Sequence, residues 1–158
     1  RGPVAQSLLA ADTPVSMSST VTTLTSAAMQ PVFDAALARW SELGVTFDTV
    51  QVVVTDLPGT MLGEAIGPTI YLDLNAAGHG WFIDPTPAVD EESAVVASRS
   101  KLQAVDPAAV DRIDLLTVVE HELGHLAGLA DLDATVDSLM SGVLGIGTRR
   151  AIQRAGQT

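Results

Sequence analysis

The run His121-Glu122-Leu123-Gly124-His125 holds three side chains whose types and spacing suit a metal-centred hydrolytic site. On an α-helix, residues four apart lie on one face about 6 Å apart along the axis, so His121 and His125 can aim their imidazoles at one point. Two neutral imidazoles suit Zn²⁺. Glu122, one position round the helix from the first histidine, is placed to take a proton from a water on the metal. Gly128 has the character of a helix C′ residue, where left-handed backbone reverses the chain. The reversal lets Asp131 swing back and offer an oxygen as third ligand. The fourth position then stays open, as a catalytic rather than a structural zinc site requires.

The competing reading is a satisfied polar triplet at a helix end. The flanks Leu115, Leu116, Val118, Val119, Leu123 and Leu126 are apolar, so this helix is expected to be largely buried. Polar side chains are costly there without partners. A histidine, a glutamate and a second histidine in such a helix need a reason, and Gly128 and Asp131 at their offsets favour zinc.

The run His121 to Asp131 resembles the extended zinc motif of metzincin metallopeptidases, in particular the matrixin-like branch. One position departs: the usual third ligand is histidine, and this chain has Asp131, similar to the aspartate-ligand variants. Metzincins also carry a methionine turn beneath the metal, and Asp137-Ser138-Leu139-Met140-Ser141 is similar to it. The likeness is specific over roughly Asp114 to Met140 and weaker back to about Ala27. The texture of Gly78–Pro87 and Asp106–Arg150 is also similar to matrixin-like domains in very long bacterial surface or secreted proteins. The resemblance implies an α+β metzincin-like zincin: a small twisted mixed sheet backed by two long helices, with the zinc helix followed by the methionine turn. It also implies an extracellular setting and membership of a longer polypeptide.

Composition narrows the partners. Eight basic against nineteen acidic residues give a formal charge of −11, which argues against nucleic acid or an anionic membrane surface. No run approaches the length of a membrane span. There is no cysteine, so disulfides and thiolate zinc ligands are excluded. The length suits one compact core and is short for two. The division expected is residues 1–26 as a lead-in or linker and 27–158 as one metallopeptidase domain.

The elements that must position the site follow in chain order. Residues 1–26 turn Ser- and Thr-rich and read as a tether or an edge strand, the tether being favoured. An amphipathic helix is expected from Ala28 to Leu43, with Met29, Val32, Phe33, Ala36, Leu37, Trp40 and Leu43 on one stripe. Pro31 belongs in a first turn, so the helix is expected to begin near it. Gly44 is its natural stop. Val45 to Thr55 reads as strand, then Met61 to Ile66 and Thr69 to Leu74 as two strands split by Gly67-Pro68. The family resemblance implies an edge strand above the metal that pairs with substrate, Leu62 to Ile66 first and Ile70 to Leu74 second.

Asn75 to Pro87 reads as a tight, partly buried loop. His79 there is a hydrogen-bonded loop residue or, less simply, a replacement third imidazole. A second metal site at Asp73, Asn75 or His79, for Ca²⁺ or a further zinc, is a possibility the resemblance raises, though the carboxylates are few. Ala88 to Val105 reads as a surface connection, and Asp106-Pro107 as a cap and first helical residue. The start of the zinc helix is signalled again at Asp111 or Asp114, and the helix is expected to run to Ala127. The resemblance makes Val143, Leu144 and Ile146 the wall of an apolar P1′ pocket, with core packing the plain alternative. A short last helix is expected from Arg149 to Ala155.

The expected activity is zinc-dependent hydrolysis of peptide bonds in a protein or peptide substrate. His121, His125 and Asp131 would hold the metal, and Glu122 would be the general base. The rivals are a self-processing domain and a non-catalytic module in which zinc staples part of a larger adhesin-like protein. Retention of Glu122 speaks against the second, since a structural zinc needs no base.

Overall fold

The computed structural model describes residues 6–10, 24–47, 49–57, 60–83, 95–96, 101–103, 112–129, 139–140, 142–144 and 148–150. It is a small mixed α/β domain. Two helices stand among the described residues, α1 (Ser26–Glu42) and α2 (Leu115–Leu126). The strands are β1 (Gln6–Ala10), β2 (Gln51–Thr55), β3 (Met61–Ile66), β4 (Thr69–Asp73), β5 (Trp81–Phe82), β6 (Val95–Val96), β7 (Lys101–Gln103), β8 (Ile113–Asp114), β9 (Val143–Leu144) and β10 (Thr148–Arg150). The main sheet has the order β2-β4-β3-β1-β9. It is mixed: β2–β4 and β1–β9 pair parallel, while β4–β3 and β3–β1 pair antiparallel. The sheet, α1 and α2 share one hydrophobic core that includes Leu8, Val32, Trp40, Leu62, Ile70 and Leu123.

Local chemistry explains the ends of both helices. Thr25 caps α1, its side-chain oxygen accepting from the Ala28 N–H at 3.1 Å. At the other end Gly44, with φ +84°, donates to Ser41 O, and Val45 donates to Trp40 O. That crossed pair is the Schellman closure, which needs a left-handed residue that glycine supplies without a Cβ penalty. Gly128, φ +100°, closes α2 in the same way, donating to His125 O while Leu129 donates to Gly124 O. Both glycines stop their helices as expected. Gly67, φ +58°, leads the two-residue turn between β3 and β4.

Several expectations are corrected. The first helix begins at Ser26, so Pro31 lies inside it rather than in its opening turn. The donor that proline lacks would have served Ala27, which is exposed, so water can serve the carbonyl instead. Among the described residues of the Val45–Thr55 stretch, strand structure is confined to Gln51–Thr55. Residues 6–10 of the expected tether form a strand inside the sheet, with Leu8 buried in the core; residues 11–23 lie outside the described residues. In consequence neither β3 nor β4 is an edge strand, because each is paired on both sides. Arg149 and Arg150, expected in a last helix, belong to β10, which pairs with β7; residues 151–155 lie outside the description. The reading of 88–105 as a plain connection gives way at β6 and β7, which form a three-stranded sheet with β10. The helix start expected at Asp106-Pro107 lies outside the described residues.

The loop after β4 is tight and partly buried, as its glycines suggested. The Asp73 carboxylate accepts N–H groups of Leu57 at 2.7 Å, Ala77 at 2.8 Å and Asn75 at 3.4 Å. Trp81 Nε1 donates to Asp73 O, and the Ile113 N–H donates to Gly80 O. The loop thereby fixes β5 against β8, which leads directly into α2. No helix among the described residues is long and apolar enough to cross a membrane.

Replacing Pro31 by alanine restores one helical donor. It is expected to raise the unfolding free energy by about 2 kcal/mol, after allowing for the looser unfolded chain. The measurement is the denaturant midpoint at constant slope. A midpoint left in place would mean that the helix starts at the proline after all.

Candidate metal centre

α2 runs from Leu115 to Leu126 with Asp114 as its cap residue, matching the later of the expected starts. Residues Leu115 to Gly124 are all buried, so the helix is enclosed on every side. Each of its faces meets a different neighbour. Val118 and Glu122 face β3 at Gly63. Glu120 and Gly124 face α1 and Met140: Trp40 Nε1 donates to Glu120 O at 3.1 Å, and Arg39 Nε stands 3.8 Å from Glu120 Oε2. Between those faces lies the stripe of His121 and His125.

The two imidazoles converge. Their Nε2 atoms are 3.1 Å apart, and the rings meet edge to face with centroids 4.7 Å apart. Each Nδ1 is 2.8 Å from a backbone carbonyl, Leu139 O for His121 and Leu129 O for His125. A carbonyl only accepts, so in each ring the proton sits on Nδ1, and in the neutral rings both Nε2 lone pairs point into the same space. Such an arrangement calls for a proton or a metal ion between the nitrogens. Two nitrogens bound tetrahedrally to zinc at its usual bond length are about 3.3 Å apart, so the donor pair fits that ion. His121 and Glu122 are both 0 % exposed, and His125 is half-buried.

The carbonyls have different origins. Leu129 follows Gly128, so the helix-closing turn itself delivers the partner of His125. Leu139 precedes Met140, so the segment resembling a methionine turn delivers the partner of His121. Met140 is buried against the helix; a Cβ on Gly124 would stand 2.6 Å from its Sδ. Asp131, the expected third ligand, lies outside the described residues, as do Asp137 and Ser138. Among the described residues no group of three His, Cys, Asp or Glu side chains comes together.

The remaining candidates sit apart from this centre. His79 lies in the loop ahead of β5, its N–H donating to Ala76 O, and its Nε2 is buried without a hydrogen-bond partner among the described residues. Both oxygens of Asp73 accept backbone N–H groups, and Asn75 Oδ1 accepts from the Gly78 N–H. Leu144 belongs to the core.

Glu120, Gly63 and Gly124 escaped the sequence reading. Signals existed for each: a carboxylate in an apolar helix demands a partner, and an isolated glycine within a strand or helix marks a close approach. A Cβ at Gly63 would stand 3.0 Å from both Glu122 Oε2 and Val118 Cγ1, so the missing side chain makes room for the carboxylate.

Comparison with protein-family models, with curated proteins and with solved structures gives no match.

Gly124→Ala is expected to cost about 1–3 kcal/mol through overpacking against Met140. Met140→Ala in the same chain should recover part of that loss, giving a double-mutant coupling well above experimental error in chemical denaturation. Additive losses would show that the contact is not what makes glycine necessary.

Proposed function

We propose that the chain is a zinc-dependent endopeptidase of the matrixin-like metzincin type, acting on protein or peptide substrates outside the cell. The observation that carries this reading is the 3.1 Å approach of His121 Nε2 and His125 Nε2, each ring turned by a carbonyl on its far side, with Glu122 next to the first. His121 and His125 would hold the zinc, with Asp131 proposed as third ligand. A zinc ion bound there would supply Lewis acidity, polarising the scissile carbonyl and acidifying water.

The protein's own groups do the rest. Glu122, backed by Gly63 and Val118, accepts a proton from the attacking water and passes it to the amine as the C–N bond breaks. The carbonyls of Leu139 and Leu129 hold both rings in the tautomer that offers Nε2, and they favour any positive charge gathered there. A preference for a hydrophobic residue just after the cut bond is carried by the family resemblance alone, since Leu144 packs in the core.

A specific observation favours a second reading. His121 and Glu122 are wholly buried, which suits a self-processing domain, or a module of a larger surface protein in which zinc only staples the fold. Ca²⁺ at Asp73 receives no comparable support, because that carboxylate already serves three N–H groups.

Metal analysis and an assay on an unrelated unfolded protein separate these readings. The wild type should bind one zinc and cleave. Glu122→Gln should keep the zinc and lose at least about a hundredfold in kcat, the scale of a lost general base. His121→Ala and His125→Ala should lose the metal, and Asp131→Ala should weaken its retention. Zinc without cleavage of the unrelated protein, but with cutting of the parent's flanking segments, would mean self-processing. Zinc without any cleavage would leave the stapled module, and no zinc at all would end the metallopeptidase reading.

A further inference from the structure

A sheet ends in a strand whose outer main-chain groups lack a neighbour, and natural edges are blunted by charge, proline, a bulge or brevity. Among the described residues the two ends of the main sheet differ in this respect. β9 at one end spans only Val143–Leu144. β2 at the other runs over Gln51-Val52-Val53-Val54-Thr55, with no charge, no proline and an unbroken register against β4. The Gln51 N–H donates to Pro68 O at 3.1 Å, on the β4 side. Main-chain groups alternate in direction along a strand. Gln51, Val53 and Thr55 therefore serve β4, and the N–H and C=O groups of Val52 and Val54 point to the open edge. Val53 is 41 % exposed beside them.

Two hollows adjoin the start of that edge. One, of about 460 Å³, lies between Phe47, Val50 and the Gly67-Pro68 turn. The other, of about 270 Å³, lies between Phe47, Phe33 and Leu37. Thr49 borders both and is exposed. Neither is lined by His121, Glu122 or His125, so the hollows are not part of the histidine–glutamate centre.

Charge decides what kind of strand suits this edge. No lysine or arginine occurs between Arg39 and Arg99, the stretch that supplies β2, β3 and β4, whereas Glu42 and Asp56 within it are exposed. The whole chain carries −11. A second copy would bring the same acidic stretch to the contact, and like charges across an interface are penalised. A basic strand would be attracted from a distance.

We propose that the outer edge of β2 is a docking site for an extended, basic segment of a partner protein. The segment's main chain would pair with Val52 and Val54, and an apolar side chain would fill a hollow beside Phe47. Its lysines or arginines would meet the acidic surroundings. None of this requires metal or hydrolysis.

The probes are short fluorescent peptides, followed by anisotropy on the full chain carrying Glu122→Gln so that hydrolysis cannot consume them. One peptide alternates lysine and valine and ends in leucine. A second has glutamate for each lysine, and a third keeps the first sequence with its backbone nitrogens methylated. The lysine peptide is expected to bind at least about tenfold tighter than either of the others, since it alone combines charge with main-chain pairing. Val54→Pro removes an edge N–H that β4 does not use and should weaken capture by a similar factor, with the denaturant midpoint as the control for folding. Thr49→Lys, at an exposed position bordering both hollows, should weaken it several-fold without touching the sheet.

Equal capture of the methylated peptide would mean charge attraction alone. Capture unchanged in both variants would place the peptide elsewhere on the chain. Either result overturns the proposal, as does no capture of any peptide. Sedimentation of the free chain as a dimer that Val54→Pro dissolves would give the edge to a second copy and overturn it as well. Capture with the expected pattern in a chain that binds no zinc would end the metallopeptidase reading and leave the docking site standing.

Discussion

α2 is surrounded by protein and still carries Glu120, His121 and Glu122 in succession. Three polar side chains in an enclosed helix impose a strict demand, because each must find its partner in a different direction. Consecutive residues on a helix point about 100° apart, so no single neighbour could serve them all. α1 answers Glu120 through Arg39, the segment before Met140 answers His121, and β3 leaves space for Glu122. The packing of two helices, a sheet and a returning loop around one short helix follows from that demand as much as from apolar burial.

Missing atoms let these neighbours come close. Gly63 lets the sheet approach a carboxylate, and Gly124 lets a methionine sulfur approach the helix backbone. Gly128 works differently, through a positive φ that turns the chain and sets the Leu129 carbonyl against His125. A side chain at either of the first two would push apart elements whose separation defines the centre. The centre's geometry is thus written partly in residues that contribute no functional group.

What the sequence made legible was local. The helix ends at Gly44 and Gly128, the β3–β4 turn at Gly67, the buried stripe of α1 and the convergence of His121 with His125 all follow from spacings of a few residues. Long-range pairing was not legible. Gln6–Ala10 read as a tether because polar Ser and Thr follow it, yet its partners are fifty or more residues away, at Met61–Ala65 and Val143–Leu144. Inserting that strand also moved β3 from the edge of the sheet to its interior. Pro31 shows the opposite failure: a sound local rule, confinement of proline to a first turn, yielded to a capping threonine and an apolar stripe that extend the helix toward its N-terminus. Glu120 was overlooked because its partner Arg39 stands on another helix.

The two carbonyls that orient the histidines differ in how they depend on the fold. Leu129 is four residues from His125, so the helix and its closing turn alone assemble that half of the pair. Leu139 is eighteen residues from His121 and reaches it only after the chain has left the helix and returned. A cation gripped between the two Nε2 atoms would therefore favour the returned arrangement over any in which the Met140 segment is detached. Binding energy spent there becomes folding energy for that segment, since a ligand of the native arrangement alone stabilises it by mass action. The stretch that carries the Leu139 carbonyl also packs Met140 against Gly124 and precedes β9, which pairs with β1, so a cation at the centre would favour those contacts too.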